Sequence, residues 1–373
     1  MQDILENMFQ TLIRYLDWKR RCDFMKCLFI VTGRGLGGDA MTALNAMKAL
    51  EKKGVQCEIA LDASAHGSLF EKHGYSWHRI SVPHAGGHSA TKLSALKGAA
   101  KLFTATFKAR SLIKKLKVDF VVGVLGGGAI VASLGGKVAR KPTFSLISTP
   151  LDSKVCPKFN HCYILPELDK FRWETLPKNM DKAFYPLADN MGDGDPDIAL
   201  QKLKEYSNFD ENKKTIVFSS GSSIFKGMVD GINIVADKTD EYNLVLVGLP
   251  LKEEYGELID ENKIIYAGYI DWINHLFKFA DLTVLTDDGV SLEEAFTNGK
   301  PIVALARVKW GRYQNMAGVF KGAMIESSVD DVYESIQEAF KNYDSLQEKA
   351  LVYGEQCLNA ADNLADDILK RVK

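Results

Sequence analysis

Two turns in the C-terminal half carry residues fit to hold a ligand. One is Gly268-Tyr269-Ile270-Asp271. The other runs from Thr286 through Asp287, Asp288, Gly289 and Ser291 to Glu293 and Glu294. A carboxylate such as Glu294 can accept two hydroxyl hydrogen bonds, and charge-assisted bonds are the strong kind. Further back, Ser219-Ser220-Gly221-Ser222-Ser223 offers backbone N–H groups that can meet negative charge as it develops. In the N-terminal half, Gly33-Arg34-Gly35-Leu36-Gly37-Gly38 leads into Asp39. A carboxylate there can take a proton from a hydroxyl within about 3 Å, or it can cap the helix that follows, since aspartate is a favoured N-cap. His84 and His88 flank Gly86-Gly87; without a third ligand they read as a substrate-facing loop rather than a metal pair. Asp193-Gly194-Asp195-Pro196-Asp197 lacks the glycine and distal glutamate of a calcium loop and reads as an acidic loop. Cys156, His161 and Cys162 match no zinc spacing. No metal site is expected.

The elements that must position these residues follow from the apolar pattern. Ile264–Tyr266 is a short strand, and Ile270–Ala280 places Ile273, Leu276, Phe277 and Ala280 on one helical face. Leu282–Leu285 is short and apolar, hence a strand buried on both faces. Ser291–Thr297 begins a helix with Ser291 as its cap and Glu293-Glu294 in its first turn, where the dipole favours acids. Gly299-Lys300-Pro301 ends it, and Ile302–Leu305 is the next strand. Ahead of these lie strand Thr215–Phe218, the Ser219–Ser223 turn, a helix and strand Leu244–Val247. The N-terminal half alternates in the same way: strand Lys26–Thr32, helix Ala40–Lys53, strands Gln56–Leu61 and Trp77–Val82, and the basic helix Leu93–Leu116. Strand Asp119–Val124, a Gly126-Gly127-Gly128 loop, a helix to Arg140 and strand Pro142–Ile147 follow. Ala323–Glu326 precedes a helical tail over Val329–Val372.

This alternation predicts an α/β protein of two doubly wound Rossmann-like domains facing across a cleft. The expected divisions are an N-terminal amphipathic helix or extension over 1–25, a first domain over 26–165, a connecting segment over 166–213, a second domain over 214–355, and a C-terminal helix over 356–373 returning to the first. Gly33, Gly35 and Gly38 form a GxGxxG, but without a matching acid for a ribose a dinucleotide site is the lesser reading. Ligands of such sheets sit at the carboxyl ends of the strands.

The totals exclude several classes. At 373 residues the chain exceeds one ordinary core. Its 47 basic and 48 acidic residues give a net charge of −1, which argues against binding nucleic acid by bulk charge. The cysteines at 22, 27, 57, 156, 162 and 357 form no CxxC, in keeping with a reducing, cytoplasmic setting. The longest uncharged run, Phe120–Gly136, is rich in glycine and reads as strand, loop and helix start rather than a membrane span. Near the N-terminus, Leu5, Met8, Phe9, Leu12 and Leu16 share one helical face, followed by Trp18 and Lys19-Arg20-Arg21. This is either an interfacial helix on a membrane surface or a helix packed on the protein itself; Met25 is an alternative start.

The stretch from Gly268-Tyr269-Ile270-Asp271 through Ala280-Asp281-Leu282 to Gly289 and Gly299-Lys300-Pro301, with Glu294 five residues before Gly299, resembles the donor half of the MurG-like glycosyltransferases. These are GT-B enzymes of family 28 that use UDP-N-acetylglucosamine. Gly33–Asp39, Val121–Gly128 and Ser219–Ser223 are similar to three further family loops. The resemblance implies that Ile270 reads uracil, that Glu294 holds the ribose, and that Ser220, Gly221, Ser222, Gly289, Ser291, Gln314 and Asn315 serve the donor. Arg307, Lys309 and Arg312 would be counter-charges to the diphosphate. Gly37, Gly38, His84, His88, Gly126, Gly127 and Gly128 would face the acceptor. Asp39 stands where the family has a histidine base. Leu146-Ile147-Ser148-Thr149 replaces its acceptor-side His-Glu-Gln-Asn, and Thr286-Asp287-Asp288 replaces its arginine-serine-glycine turn.

The resulting expectation is an inverting hexosyltransferase that moves a sugar, N-acetylglucosamine by preference, from UDP to a lipid-linked or cell-envelope acceptor. No cofactor beyond the UDP-sugar substrate is expected, and the expected location is the cytoplasm, either free or peripheral on the cytoplasmic face of the membrane. A UDP-sugar 2-epimerase and a non-catalytic nucleotide-sugar-binding subunit are the alternatives.

Overall fold

The computed structural model describes residues 25–32, 35, 37–82, 92–166, 175–309 and 314–372. The N-terminal amphipathic segment 1–24, Gly33, Arg34, His84, His88 and Arg312 lie outside the described residues. The chain forms two compact units. Of the described residues, the first unit holds those up to Leu165, 175–186 and 361–372; the second holds Pro166 and those from Leu187 to Ala360.

The first unit is built on a parallel sheet of β1 (Lys26–Val31), β2 (Gln56–Asp62), β3 (Trp77–Ile80), β4 (Phe120–Val124), β5 (Thr143–Ile147), β6 (His161–Ile164) and β7 (Met180–Lys182), in the order β3-β2-β1-β4-β5-β6-β7. Phe120–Val124 is buried along its whole length, as a strand covered on both faces must be. Leu28, Ile30 and Val121 pack under Ala105, Ala109 and Ile113 of helix Lys92–Leu116 and under Val131 and Ala132 of helix Gly126–Ala139. The C-terminal helix Ala360–Val372 is tied to β6 and β7. Tyr163 Oη donates to Asp367 at 2.7 Å, and Arg371 reaches Asp181 at 2.7 Å.

The second unit has β8 (Lys214–Ile224), β9 (Tyr242–Pro250), β10 (Ile264–Gly268), β11 (Leu282–Thr286), β12 (Ile302–Leu305) and β13 (Met324–Ser327), all parallel, in the order β10-β9-β8-β11-β12-β13. Its core joins Ile216, Phe218, Val284 and Val303 of the sheet to Met228 and Ile232 of helix Lys226–Lys238 and Ile336 of helix Val332–Lys341.

Four expectations are corrected. Gly126, Gly127 and Gly128 are not a loop but the first turn of a helix. The chain reverses one residue earlier, at Leu125 (φ 51°). A Cβ on Gly128 would lie 2.6 Å from Thr32 N and 2.7 Å from Ile30 O, so only glycine lets this helix approach β1 so closely. Ser219–Ser223 is not a turn after a short strand. It lies inside β8, where Ser219 pairs with Val247 and Ser223 with Leu249, so the serine strand bulges against β9. Ser291 is not the cap of its helix; it is the first helical residue, preceded by Val290. The range 166–213 is not one connector, because Met180–Lys182 adds a strand to the first sheet and helix Pro196–Leu203 belongs to the second unit. Asp195 caps that helix by accepting the Asp197 N–H at 2.9 Å, which accounts for the acidic run.

Candidate active site

In both sheets the strand order reverses beside the first strand, between β1 and β4 in one and between β8 and β11 in the other. A crevice opens at such a switch point, outside the carboxyl ends of the strands. The residues that leave these four strands are those singled out by chemistry.

In the first unit they are Gly37, Gly38 and Asp39 after β1, and Gly126, Gly127 and Gly128 after β4. Gly37 (φ 84°) precedes helix Gly38–Lys52. Asp39 is the second residue of that helix and makes no capping hydrogen bond, so it is not the N-cap. Its half-buried carboxyl is pushed up to about 6, chiefly by burial and further by the negative charge of Asp152. Asp152 comes from helix Pro150–Val155 and is fully buried. Its Oδ2 accepts the Gly126 N–H at 2.8 Å and the Ser148 N–H at 3.3 Å, while Oδ1 accepts the Thr149 N–H at 2.9 Å. Thr149 returns the bond through Oγ1, closing a capping box. Burial raises the Asp152 carboxyl and these N–H groups draw it back down. Sequence reasoning passed over Asp152. Its signal was Thr149-Pro150-Leu151-Asp152, a serine/threonine-x-x-acid box with proline at the first helical position.

In the second unit the bulged strand is held by its own serines. Ser219 Oγ donates to Val247 O at 3.2 Å and accepts the Gly221 N–H at 3.1 Å. Ser220 Oγ donates to Ser223 O at 2.9 Å and accepts the Phe225 N–H at 3.1 Å. Ser220 is buried, Ser222 exposed, and the Gly221 N–H is engaged within the strand rather than presented to a ligand. Gly221 (φ 88°) and Gly289 (φ 96°) adopt the left-handed region that favours glycine. Asp287 is buried and accepts the Gln314 N–H at 3.2 Å, and burial pushes its carboxyl up to about 6. Asp288 pairs with Lys309 at 2.8 Å and accepts from Gln314 Nε2 at 3.1 Å. The two acids are therefore compensated, and Gln314 is spent on them. Asn315 (φ 42°) precedes the short helix Met316–Val319.

Glu294 stands in the first turn of helix Ser291–Thr297. Its side chain keeps some access to solvent, yet the surrounding protein desolvates it enough to push its carboxyl up to about 7. Among the described residues it accepts no hydrogen bond from another side chain. Ile270 follows the edge strand β10, in the turn before helix Ile273–Phe279. Among the described residues, one group brings three metal-ligating atoms within 4.8 Å: His161, Asp181 and Asp367 of the first unit. Arg371 already bridges its two acids.

Two parallel sheets of this order, each with its own switch point, define the GT-B class of fold. Residues 29–145 match the glycosyltransferase family 28 N-terminal domain, and residues 201–356 match glycosyl transferases group 1. The chain is 23% identical over 365 residues to the UDP-N-acetylglucosamine–N-acetylmuramyl-(pentapeptide) pyrophosphoryl-undecaprenol N-acetylglucosamine transferase of Sulfurihydrogenibium sp. (strain YO3AOP1), covering 94% of this chain and 99% of that one. It is 26% identical over 208 residues to the processive diacylglycerol beta-glucosyltransferase of Bacillus subtilis, covering 52% and 53%. Among solved structures, Acinetobacter baumannii MurG superposes with a TM-score of 0.64 at 16% identity over 93% of this chain and 99% of that one. The UDP-GlcNAc 2-epimerase of Neisseria meningitidis gives 0.62 at 15% over 93% and 100%. The chain thus carries the two domains of a GT-B glycosyltransferase, is similar over nearly its whole length to the MurG-like enzymes, and is a UDP-sugar-dependent glycosyltransferase.

Proposed function

We propose that this enzyme transfers N-acetylglucosamine from UDP to a hydroxyl of a lipid-linked acceptor, with inversion, at the cytoplasmic surface of a membrane. The observation that carries the donor half is Glu294. A desolvated carboxylate at a switch point, accepting from no other side chain among the described residues, suits the two hydroxyls of a ribose. The sugar and the lipid-linked acceptor are taken from the Sulfurihydrogenibium relative's substrates. The Bacillus relative also acts on a lipid, diacylglycerol, while Leu146–Thr149 replaces the acceptor-side family segment; the lipid class is thus better supported than the muramyl-pentapeptide group. In the reaction the acceptor hydroxyl gives its proton to Asp39 as its oxygen bonds to the sugar's anomeric carbon. The bond from that carbon to the β-phosphate oxygen breaks, and its electron pair leaves with UDP. A carboxyl that titrates near 6 is largely ionised at neutral pH and is a stronger base than an ordinary aspartate.

Contact with a membrane is supported by helix Lys92–Leu116, which exposes Phe103 and Phe107, their rings 4.8 Å apart, beside exposed Lys101, Lys108, Lys114 and Lys115. Aromatic rings among cations suit an anionic lipid surface. Among the described residues no helix is long and apolar enough to cross a membrane. Phe103→Glu should lower cosedimentation with anionic vesicles; equal sedimentation of variant and parent would remove this helix from the contact.

The donor reading is tested by calorimetry. Glu294→Ala should weaken UDP binding by about 2–3 kcal/mol, as for hydrogen bonds to charged groups. An unchanged affinity in a folded variant would exclude Glu294. Incubation with UDP-N-acetylglucosamine and a panel of lipid acceptors should yield glycolipid and UDP; an isomerised sugar without acceptor would instead mark an epimerase.

A further inference from the structure

We propose that Lys309 receives the diphosphate of the nucleotide sugar, handing over from Asp288, which holds its ammonium group beside Gly221 and Gly289. This rests on the reading of the second unit as the UDP-sugar site. A Cβ placed on Gly221 would have Lys309 Nζ as its nearest neighbour at 3.8 Å, and one placed on Gly289 would lie 3.3 Å from the same atom. The ammonium thus stands where two left-handed glycines leave room for a ligand to approach the backbone, one in the bulge near the carboxyl end of β8 and one in the turn after β11, the two strands that flank the switch point. Ser291 Oγ lies 4.0 Å from the Gly221 position.

The pair is not an ordinary surface ion pair. The Lys309 and Asp288 side chains are only 16% and 13% exposed, and Nζ also approaches Asp288 O at 3.5 Å. Asp288 does not depend on the lysine alone. Its Oδ2 accepts from Gln314 Nε2 at 3.1 Å, and Thr286 Oγ1 lies 3.4 Å from Oδ1. The carboxylate therefore keeps partners when Lys309 turns away. Asp287 beside it is buried and keeps the Gln314 N–H. A diphosphate arriving next to two aspartates needs a cation, and a lysine is a mobile point charge on a flexible stem, suited to exchanging one anion for another. The pair thus explains how an acidic turn can serve an anionic ligand.

Calorimetry on the full chain with UDP, UMP and uridine tests the proposal. Lys309→Ala should weaken UDP binding about 10- to 100-fold and leave uridine binding within about twofold, while Lys309→Arg, which keeps the charge, should recover part of the loss. Asp288→Asn, which frees the lysine and removes a repelling charge, should tighten UDP binding. The double variant Asp288→Asn/Lys309→Ala should stay weaker than the parent. Equal UDP affinity in Lys309→Ala, equal losses for UDP and uridine, or full recovery in the double variant would each overturn the assignment, the last by showing that Lys309 only neutralises Asp288. A parent chain that binds none of the three ligands would overturn the donor reading itself. Circular dichroism of each variant shows that it is folded.

Discussion

The residues proposed to carry the chemistry are acids whose surroundings make them poor acids. Asp39 and Glu294 are each held near neutral pKa by burial, which costs the charged form its hydration. For Asp39 this sets a pH dependence. The residue must be ionised to take a proton, so kcat/KM should fall as pH drops through about 6. Asp39→Asn should lower turnover about 10²–10⁴-fold. Its stability should be unharmed, since the side chain caps nothing. Asp152→Asn removes the neighbouring negative charge while keeping an oxygen to accept N–H groups, and should move the acid limb to lower pH. A limb that stays put in Asp152→Asn would show that Asp152 only supports the helix starts. Near-normal turnover in Asp39→Asn would remove it as the base. Both Asp39 and Glu294 were legible as candidates from position alone; Asp152 was not, because its importance comes from burial and from the backbone groups of Gly126, Ser148 and Thr149 that converge on it.

Among the elements, the helix after β4 shows how closely backbone must pack at a switch point. Gly128 lies over Thr32 N and Ile30 O, which are backbone atoms and cannot rotate away. Gly128→Ala should therefore lower the stability of the first unit by about 1–3 kcal/mol, the usual range for overpacking. Urea unfolding checks this, and a variant as stable as the parent would show that helix Gly126–Ala139 can shift. The glycine triplet was visible as a break in the apolar pattern; that it starts a helix depends on Asp152 accepting the Gly126 N–H. The serine run of β8 is similar. Its composition suggests a turn, but Val247 and Leu249 of β9 continue the ladder on either side of it, and Ser219 and Ser220 satisfy the bulged backbone internally.

For the molecule as a whole, the raised carboxyls couple stability to pH. A carboxyl that titrates near 7 in the folded chain and near 4.5 when exposed, as for Glu294, holds its proton more tightly when folded. Between those values the folded state carries more protons than the unfolded state, so stability falls as pH rises through that window and the loss is complete above it. Asp39 and Asp287 act in the same direction up to about pH 6. Glu58 and Asp367, whose carboxyls are held low by Lys26 and His78 and by Arg371 and Tyr163, act oppositely, and their contribution is lost as pH falls below the ordinary carboxylate range. Glu294→Gln should raise the melting temperature by about 2–4 °C at pH 8 and leave it unchanged at pH 4. A variant that melts like its parent at both pH values would show that Glu294 is well hydrated in the folded chain.

The sequence by itself determined the alternation of strands and helices, because short apolar runs such as Phe120–Val124 and Leu282–Thr286 have only a doubly covered parallel sheet in which to be buried. It also placed Asp39 and Glu294 after strands, where such sheets bind ligands. It could not determine which polar groups are spent on the protein itself. Hydrogen bonding and desolvation depend on residues far apart in the chain, such as Gly126 and Asp152, or Asp288, Lys309 and Gln314. Only the tertiary structure showed that the acids of the Thr286–Asp288 turn are compensated, that Ser219 and Ser220 serve their own strand, and that a buried aspartate, Asp152, holds the start of helix Gly126–Ala139.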